Sequence, residues 1–187
     1  MLKFFQKVLM ESESIASQNR SARFQVQGVD APVSGGAFVV VTGMALNAVY
    51  SSFTSNVKDF NVLTVEAPAA VTDKDIYVID LVAIAQASGM NNTYRIGVKT
   101  IGLVADAGIA VRMRKVASQD EFVLGADNFV APPVVGQFAV LTAGSVDLTA
   151  AVAIPGAGLC AAVEQRETIS QGTDGNVDAY LCRVVQL

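Results

Sequence analysis

A chain of 187 residues is long enough to bury a core of its own, and one domain with an appended segment is the expected organisation. Hydrophobic residues make up 52% and charged residues only 16%, against about 25% charged in ordinary globular chains, so apolar surface is left over for contacts with other molecules. The net charge of −4 and the absence of histidine disfavour nucleic acid as the main ligand and remove the Ser-His-Asp and Cys-His catalytic arrangements.

At the N-terminus, Leu2, Phe5 and Leu9, with Phe4 and Val8 alongside, recur at helical spacing, although so short a segment is at most a marginal helix alone. From Glu11 to Gln27 the chain is polar and rich in Ser and Gln. Within residues 1–24 four cations (Lys3, Lys7, Arg20, Arg23) stand against two carboxylates (Glu11, Glu13), a balance of +2 that leaves −6 for the rest. Residues 1–35 therefore read as an extended or partly helical N-terminal arm that becomes ordered on a partner through Phe4, Phe5 and Leu9. The turn signals Asp30-Ala-Pro and Ser34-Gly-Gly close it. Gln6, Lys7, Glu11 and Glu13 break any secretory-leader pattern, so a cytosol-like compartment is expected, with Cys160 and Cys182 as buried thiols.

Residues 36–187 read as a single β-rich domain. Candidate strands run from Ala37 to Val41, Val62 to Glu66 and Ile76 to Val82, the last nearly continuous in apolar residues and so suited to burial on both faces. Tyr94, Ile96 and Val98 alternate with Arg95, Gly97 and Lys99, the pattern of a half-exposed strand. Ile109, Val111 and Met113 do the same against Arg112 and Arg114, which places both arginines side by side on an exposed face as candidate partner contacts. Ser118-Gln-Asp then turns into Glu121 to Leu124, and the two segments read as a hairpin. Further strands are expected at Phe138 to Thr142, Leu159 to Glu164 and Tyr180 to Val185, and one short helix at Leu81 to Ala87. Short strands with regular turn signals predict a mainly β fold, a β-barrel or β-sandwich of antiparallel strands. Gly36-Ala-Phe-Val-Val-Val-Thr resembles Gly136-Gln-Phe-Ala-Val-Leu-Thr, as two strands that each follow a turn glycine would.

Ala31 to Val57 carries no charge and exceeds the ~20 residues that span a bilayer. Ser34, Gly35, Gly36, Thr42, Gly43, Asn47, Ser51 and Ser52 interrupt it, so no membrane role is expected. No phosphate-cradling loop is present, and Pro155-Gly-Ala-Gly reads as a tight turn. Asp174-Gly-Asn176-Val-Asp178 begins like a calcium loop, but Ala179 and Val185 stand where the turn glycine and the bidentate glutamate belong. Asp73, Asp75 and Asp80 read as loop carboxylates. No catalytic residue, cofactor or metal site is expected.

The segments Val65-Glu-Ala-Pro-Ala, Asp75-Ile-Tyr-Val-Ile-Asp, Asn92-Thr-Tyr-Arg-Ile, Ala107-Gly-Ile-Ala-Val-Arg-Met-Arg, Asp120-Glu-Phe, Val135-Gly-Gln-Phe-Ala-Val-Leu and Tyr180-Leu-Cys-Arg-Val-Val occur in an order that resembles the capsid decoration, or cement, proteins of tailed bacteriophages. That resemblance runs from about Asn61 to the C-terminus. Where relatives carry Gly-Asp before the hairpin aromatic, this chain has Gln119-Asp120-Glu121-Phe122. The resemblance implies a non-enzymatic virion protein on the capsid exterior, often a trimer, with the major capsid protein as partner. Another virion component (tail tube, fibre or shell) and a carbohydrate- or ligand-binding β-domain are the alternative readings.

Overall fold

The computed structural model describes residues 3–11, 18–46, 58–81, 83–84, 98–99, 104–170 and 176–187. In chain order its strands are β1 (Phe5–Leu9), β2 (Asn19–Val26), β3 (Val29–Asp30), β4 (Val33–Ser34), β5 (Phe38–Leu46), β6 (Lys58–Glu66), β7 (Ile76–Ile79) and β8 (Ala83–Ile84). They continue as β9 (Val98–Lys99), β10 (Val104–Ala105), β11 (Val111–Lys115), β12 (Glu121–Gly125), β13 (Phe138–Val140), β14 (Thr149–Ala151), β15 (Cys160–Ser170) and β16 (Asn176–Gln186). The protein is mainly β, as the turn-punctuated strand pattern predicts.

Two six-stranded sheets carry the fold. The first runs β11-β7-β5-β6-β2-β3, and an additional β11–β2 pairing closes β11, β7, β5, β6 and β2 into a barrel. The β2–β6 pair is parallel, an exception to the expected antiparallel pairing. The second sheet, β1-β12-β16-β15-β13-β14, lies against the outside of the barrel.

Alternation along β5 and β7 divides their side chains between two cores. Val39 and Ile79 point into the barrel with Ala22, Phe24, Val65, Val111 and Met113. Phe38, Ile76 and Val78 point outward and meet Phe122, Leu124, Val163, Tyr180 and Cys182 of the second sheet. Of the apolar run expected from Ile76 to Val82, the strand Ile76–Ile79 is thus packed on both faces, and Val82 lies outside the described residues. Phe122 sits where the sheets meet, with its ring centroid 5.9 Å from those of both Phe5 and Phe38.

Several expectations are corrected. Of the extended or partly helical forms expected for the N-terminal segment, the described residues take the extended one, as strands built into the sheets: β1 pairs with β12 in the second sheet, and β2 is a barrel stave. A register shift lies between Lys7 and Leu9, and Val8 and Leu9 are exposed where Phe4 and Phe5 are buried. The β11–β12 hairpin does not form, because β11 pairs with β7 and β2 whereas β12 pairs with β1 and β16. The turn between them carries the chain from one sheet to the other. Gln119 there has φ 71°, and Asp120 accepts the N–H groups of Ala117 and Glu11. Burial raises the Asp120 pKa above the ordinary carboxylate value, against the lowering effect of those two bonds. Within the expected helix at Leu81 to Ala87, residues 83–84 pair as strand with β9. Tyr94 to Gly97 and Asp174-Gly lie outside the described residues. Gly36 and Gly136 have φ 78° and 91° and precede β5 and β13, so their similar surroundings are those of two turn glycines in different sheets.

Asn128, fully buried, joins these parts. The Phe4 N–H donates to its Oδ1 (2.9 Å), and its Nδ2 donates to the Gly35 carbonyl (2.9 Å). A Cβ on Gly36 would lie 2.5 Å from that same Nδ2, which explains a glycine there beyond its positive φ. Asn128→Ala leaves the Phe4 N–H and the Gly35 carbonyl without partners, at about 1–3 kcal/mol for a buried group so orphaned. Urea unfolding should register a loss of about 2–3 kcal/mol, and Asn128→Asp, which keeps the acceptor but not the donor, should also be destabilised.

Candidate interaction surface

The candidate contact residues take different places. Phe4 and Phe5 are 1% and 3% exposed: the β1–β12 pairing turns Phe5 toward Phe122, and Phe4 packs with Val177 and Ala179 on the other face of the second sheet. Leu9, 61% exposed, is the N-terminal candidate that remains at the surface. Lys3 is held by Asp147, with Nζ 2.6 Å from a carboxylate oxygen, which ties this end of the chain to the β13–β14 connection.

Arg112 and Arg114 do share the outer face of β11, but as partners of one internal carboxylate. Asp80 Oδ2 accepts from Arg114 Nε at 2.6 Å and from Arg112 Nη2 at 2.8 Å. Arg114 is buried and also donates to Asn19 Oδ1 at 3.0 Å, while Arg112 is half exposed. The group therefore pins β7, β11 and β2 where the barrel closes. Asp75 pairs with Lys115 at 2.7 Å and Asp178 with Arg166 at 2.7 Å, so two other acidic candidates also have cationic partners.

Among the described residues, no group of three or more His, Cys, Asp or Glu side chains is placed to hold a metal ion. Cys160 and Cys182 are free and buried. Burial raises both thiol pKa values, and the nearby Glu164 carboxylate helps push Cys182 up to about 12, which suppresses the nucleophilic thiolate. No helix among the described residues is long and apolar enough to cross a membrane. An open depression of about 550 Å³ on the barrel is lined by Arg23, Gln25, Val29, Asp30, Met44 and Thr64, among others. Among the described residues no aromatic ring lines it.

Nine of the exposed aliphatic side chains fall into two groups; Val8, Leu9, Val41, Val71 and Leu187 are exposed as well. On the barrel, Val26 and Val29 are exposed around β3, and Val104 and Ile109 beside them; β10 pairs with β4, and Gly108 lies against Asp30. The second group surrounds β14, at the far edge of the other sheet, and comprises Val130, Val134, Val135, Val152 and Ile154. Its placement follows from register. Phe129 bridges Leu148 in parallel and the Val130 N–H donates to the Leu148 carbonyl, so this segment starts beside β14. By Gly136 the chain has reached Val163, and Phe138 faces Ala151. Residues 130–136 therefore wrap the end of β14, against which Val152 to Ile154 emerge.

This second group has a sequence signal that is easily passed over. Between Asp127 and Glu164 the only charged residue is Asp147, and Lys3 neutralises it. The uncharged stretch at Ala31 to Val57 draws attention first, yet much of its described part lies in the barrel core.

No family model matches the chain, and neither a curated protein nor a solved structure matches it. Fold and surface chemistry, together with the order of the strand-and-turn motifs, carry the functional reading.

Proposed function

We propose that this chain is a non-enzymatic virion structural protein that decorates an icosahedral phage capsid and stabilises it by binding major capsid subunits. The observation that carries the reading is the presence of two groups of exposed aliphatic side chains, one on the barrel and one at the β14 edge, in a chain with only 16% charged residues. A protein that reinforces a shell needs at least two contact surfaces, and apolar, charge-depleted patches are the usual chemistry of lasting contacts. The order of motifs from Val65-Glu-Ala-Pro-Ala to Tyr180-Leu-Cys-Arg-Val-Val supports the decoration role within that class.

Electron microscopy of the purified chain separates this role from other virion roles. A decoration protein should appear as small discrete particles that coat shells of the major capsid protein when the two are mixed. Filaments, tubes or closed shells formed by the chain alone would instead assign it to a tail or to the shell itself.

A further inference from the structure

We infer that the depression around Arg23, on the outer face of the barrel, receives an acidic side chain of a partner protein, with the Arg23 guanidinium as the anchor. The inference rests on the reading of the chain as a contact-making structural protein and names the chemistry that a partner brings to one of its contacts.

Strand alternation sets the position of Arg23. Ala22 and Phe24 are buried in the barrel core, so Arg23 between them points out of the barrel, beside Thr64 of β6. Arg112, Arg114, Arg166 and Arg183 each have a carboxylate partner, and Arg20 is exposed to solvent. Half-buried Arg23 has no carboxylate partner among the described residues, and its Nε is shut off from solvent without an acceptor. A guanidinium so placed has lost part of its hydration and gained no bond in exchange. An incoming acceptor therefore gains more there than at a fully solvated cation.

The carboxylates of this wall are engaged elsewhere. Asp30, in the lining, accepts from Gln25 Nε2 at 2.9 Å, and Glu66 accepts the Gly28 N–H at 2.8 Å. Both are held by neutral donors, which leaves the arginine to a ligand. Thr64 Oγ1 accepts the Thr42 hydroxyl at 3.2 Å, so the Thr64 proton remains to donate beside the guanidinium.

Charge and shape select the occupant. The guanidinium fork matches a planar oxyanion. With Asp30 in the lining and Glu66 bonded to Gly28 of the rim, a nucleic-acid backbone would meet more negative charge than positive, whereas a single carboxylate needs only the one fork. The depression is open, so it does not enclose a free small molecule as ligand pockets do. Val29 lines it and pairs with Val26, and both are exposed. An arginine in an apolar surround is a common anchor of protein interfaces.

Two short peptides test the site on the full chain: one with a single glutamate among valines and serines, and its glutamine counterpart. Titrated at millimolar concentration, the glutamate peptide should shift the Thr64 amide resonance and bind about 5-fold or more tightly than the glutamine peptide. R23Q should abolish that preference with an unchanged melting temperature, and R23K, which keeps the charge without the fork, should retain only part of it. Should R23Q melt early, R23K is read in its place. No response to the glutamate peptide, equal binding of the two, or a preference that survives substitution of Arg23 overturns the inference. Co-sedimentation with shells of the major capsid protein separates it from the broader reading. R23E should weaken shell binding by about 30-fold or more. Shells bound equally by wild type and R23E sink the Arg23 contact alone, and a glutamate-selective chain that never binds shells sinks the decoration role alone.

Discussion

Asp80→Asn is expected to destabilise the protein by about 3–5 kcal/mol, because it removes the carboxylate that neutralises a guanidinium enclosed by the fold. The Arg114 side chain is only 7% exposed, as is that of Asp80, so the uncompensated charge cannot recover its hydration in place. Arg112, at 46% side-chain exposure, can turn to water and contributes little to the loss. Replacing the pair together with apolar side chains, as in D80L/R114M, should recover much of the stability, since the penalty lies in the stranded charge. In a chain of this length a loss of that size lowers the melting temperature by roughly 10 °C. Equal stability of D80N and wild type would mean that the ion pair does not close the barrel.

Phe122→Ala should cost a similar amount, about 3–5 kcal/mol, for a different reason. Its ring is fully buried and contacts Phe5 from the N-terminal strand and Phe38 from the barrel. Truncation removes the transfer energy of the ring and leaves a cavity that three separate segments would have to move to fill. Phe122→Leu retains most of the volume and should lose less. Denaturant unfolding followed by a barrel probe and by a second-sheet probe would show one shared transition in the wild type, since Phe122 belongs to the core that joins the sheets. A loss below 1 kcal/mol in F122A would contradict that shared core.

What the sequence made legible depended on the range of the interactions concerned. The strand at Ile76–Ile79 could be read as doubly buried, because its own composition records both environments. The same local reading joined Val111–Lys115 to Glu121–Gly125 as a hairpin, since the intervening residues announce a turn without naming the strand's partner. Those partners are β7 and β2 on one side and β1 and β16 on the other, all distant in sequence.

Residues 3–9 illustrate the same limit. Adjacent Phe4 and Phe5 are both buried, on opposite faces of one sheet, which no alternation in the sequence announces. The arginines of β11 were correctly placed on one face by alternation, but the burial of Arg114 depends on Asp80, from another strand. The scarcity of charge between Asp127 and Glu164 was legible in the sequence, whereas it is register in the folded chain that gathers Val130, Val134, Val135, Val152 and Ile154 at one sheet edge.

Particle composition tests the central claim most directly. The proposed decoration role predicts that phage particles purified from a lysate in which this chain is made contain it in a fixed ratio to the major capsid subunit, on the outer surface, where added protease reaches it. Absence of the chain from purified particles, while it accumulates free in the same lysate, would contradict the decoration role.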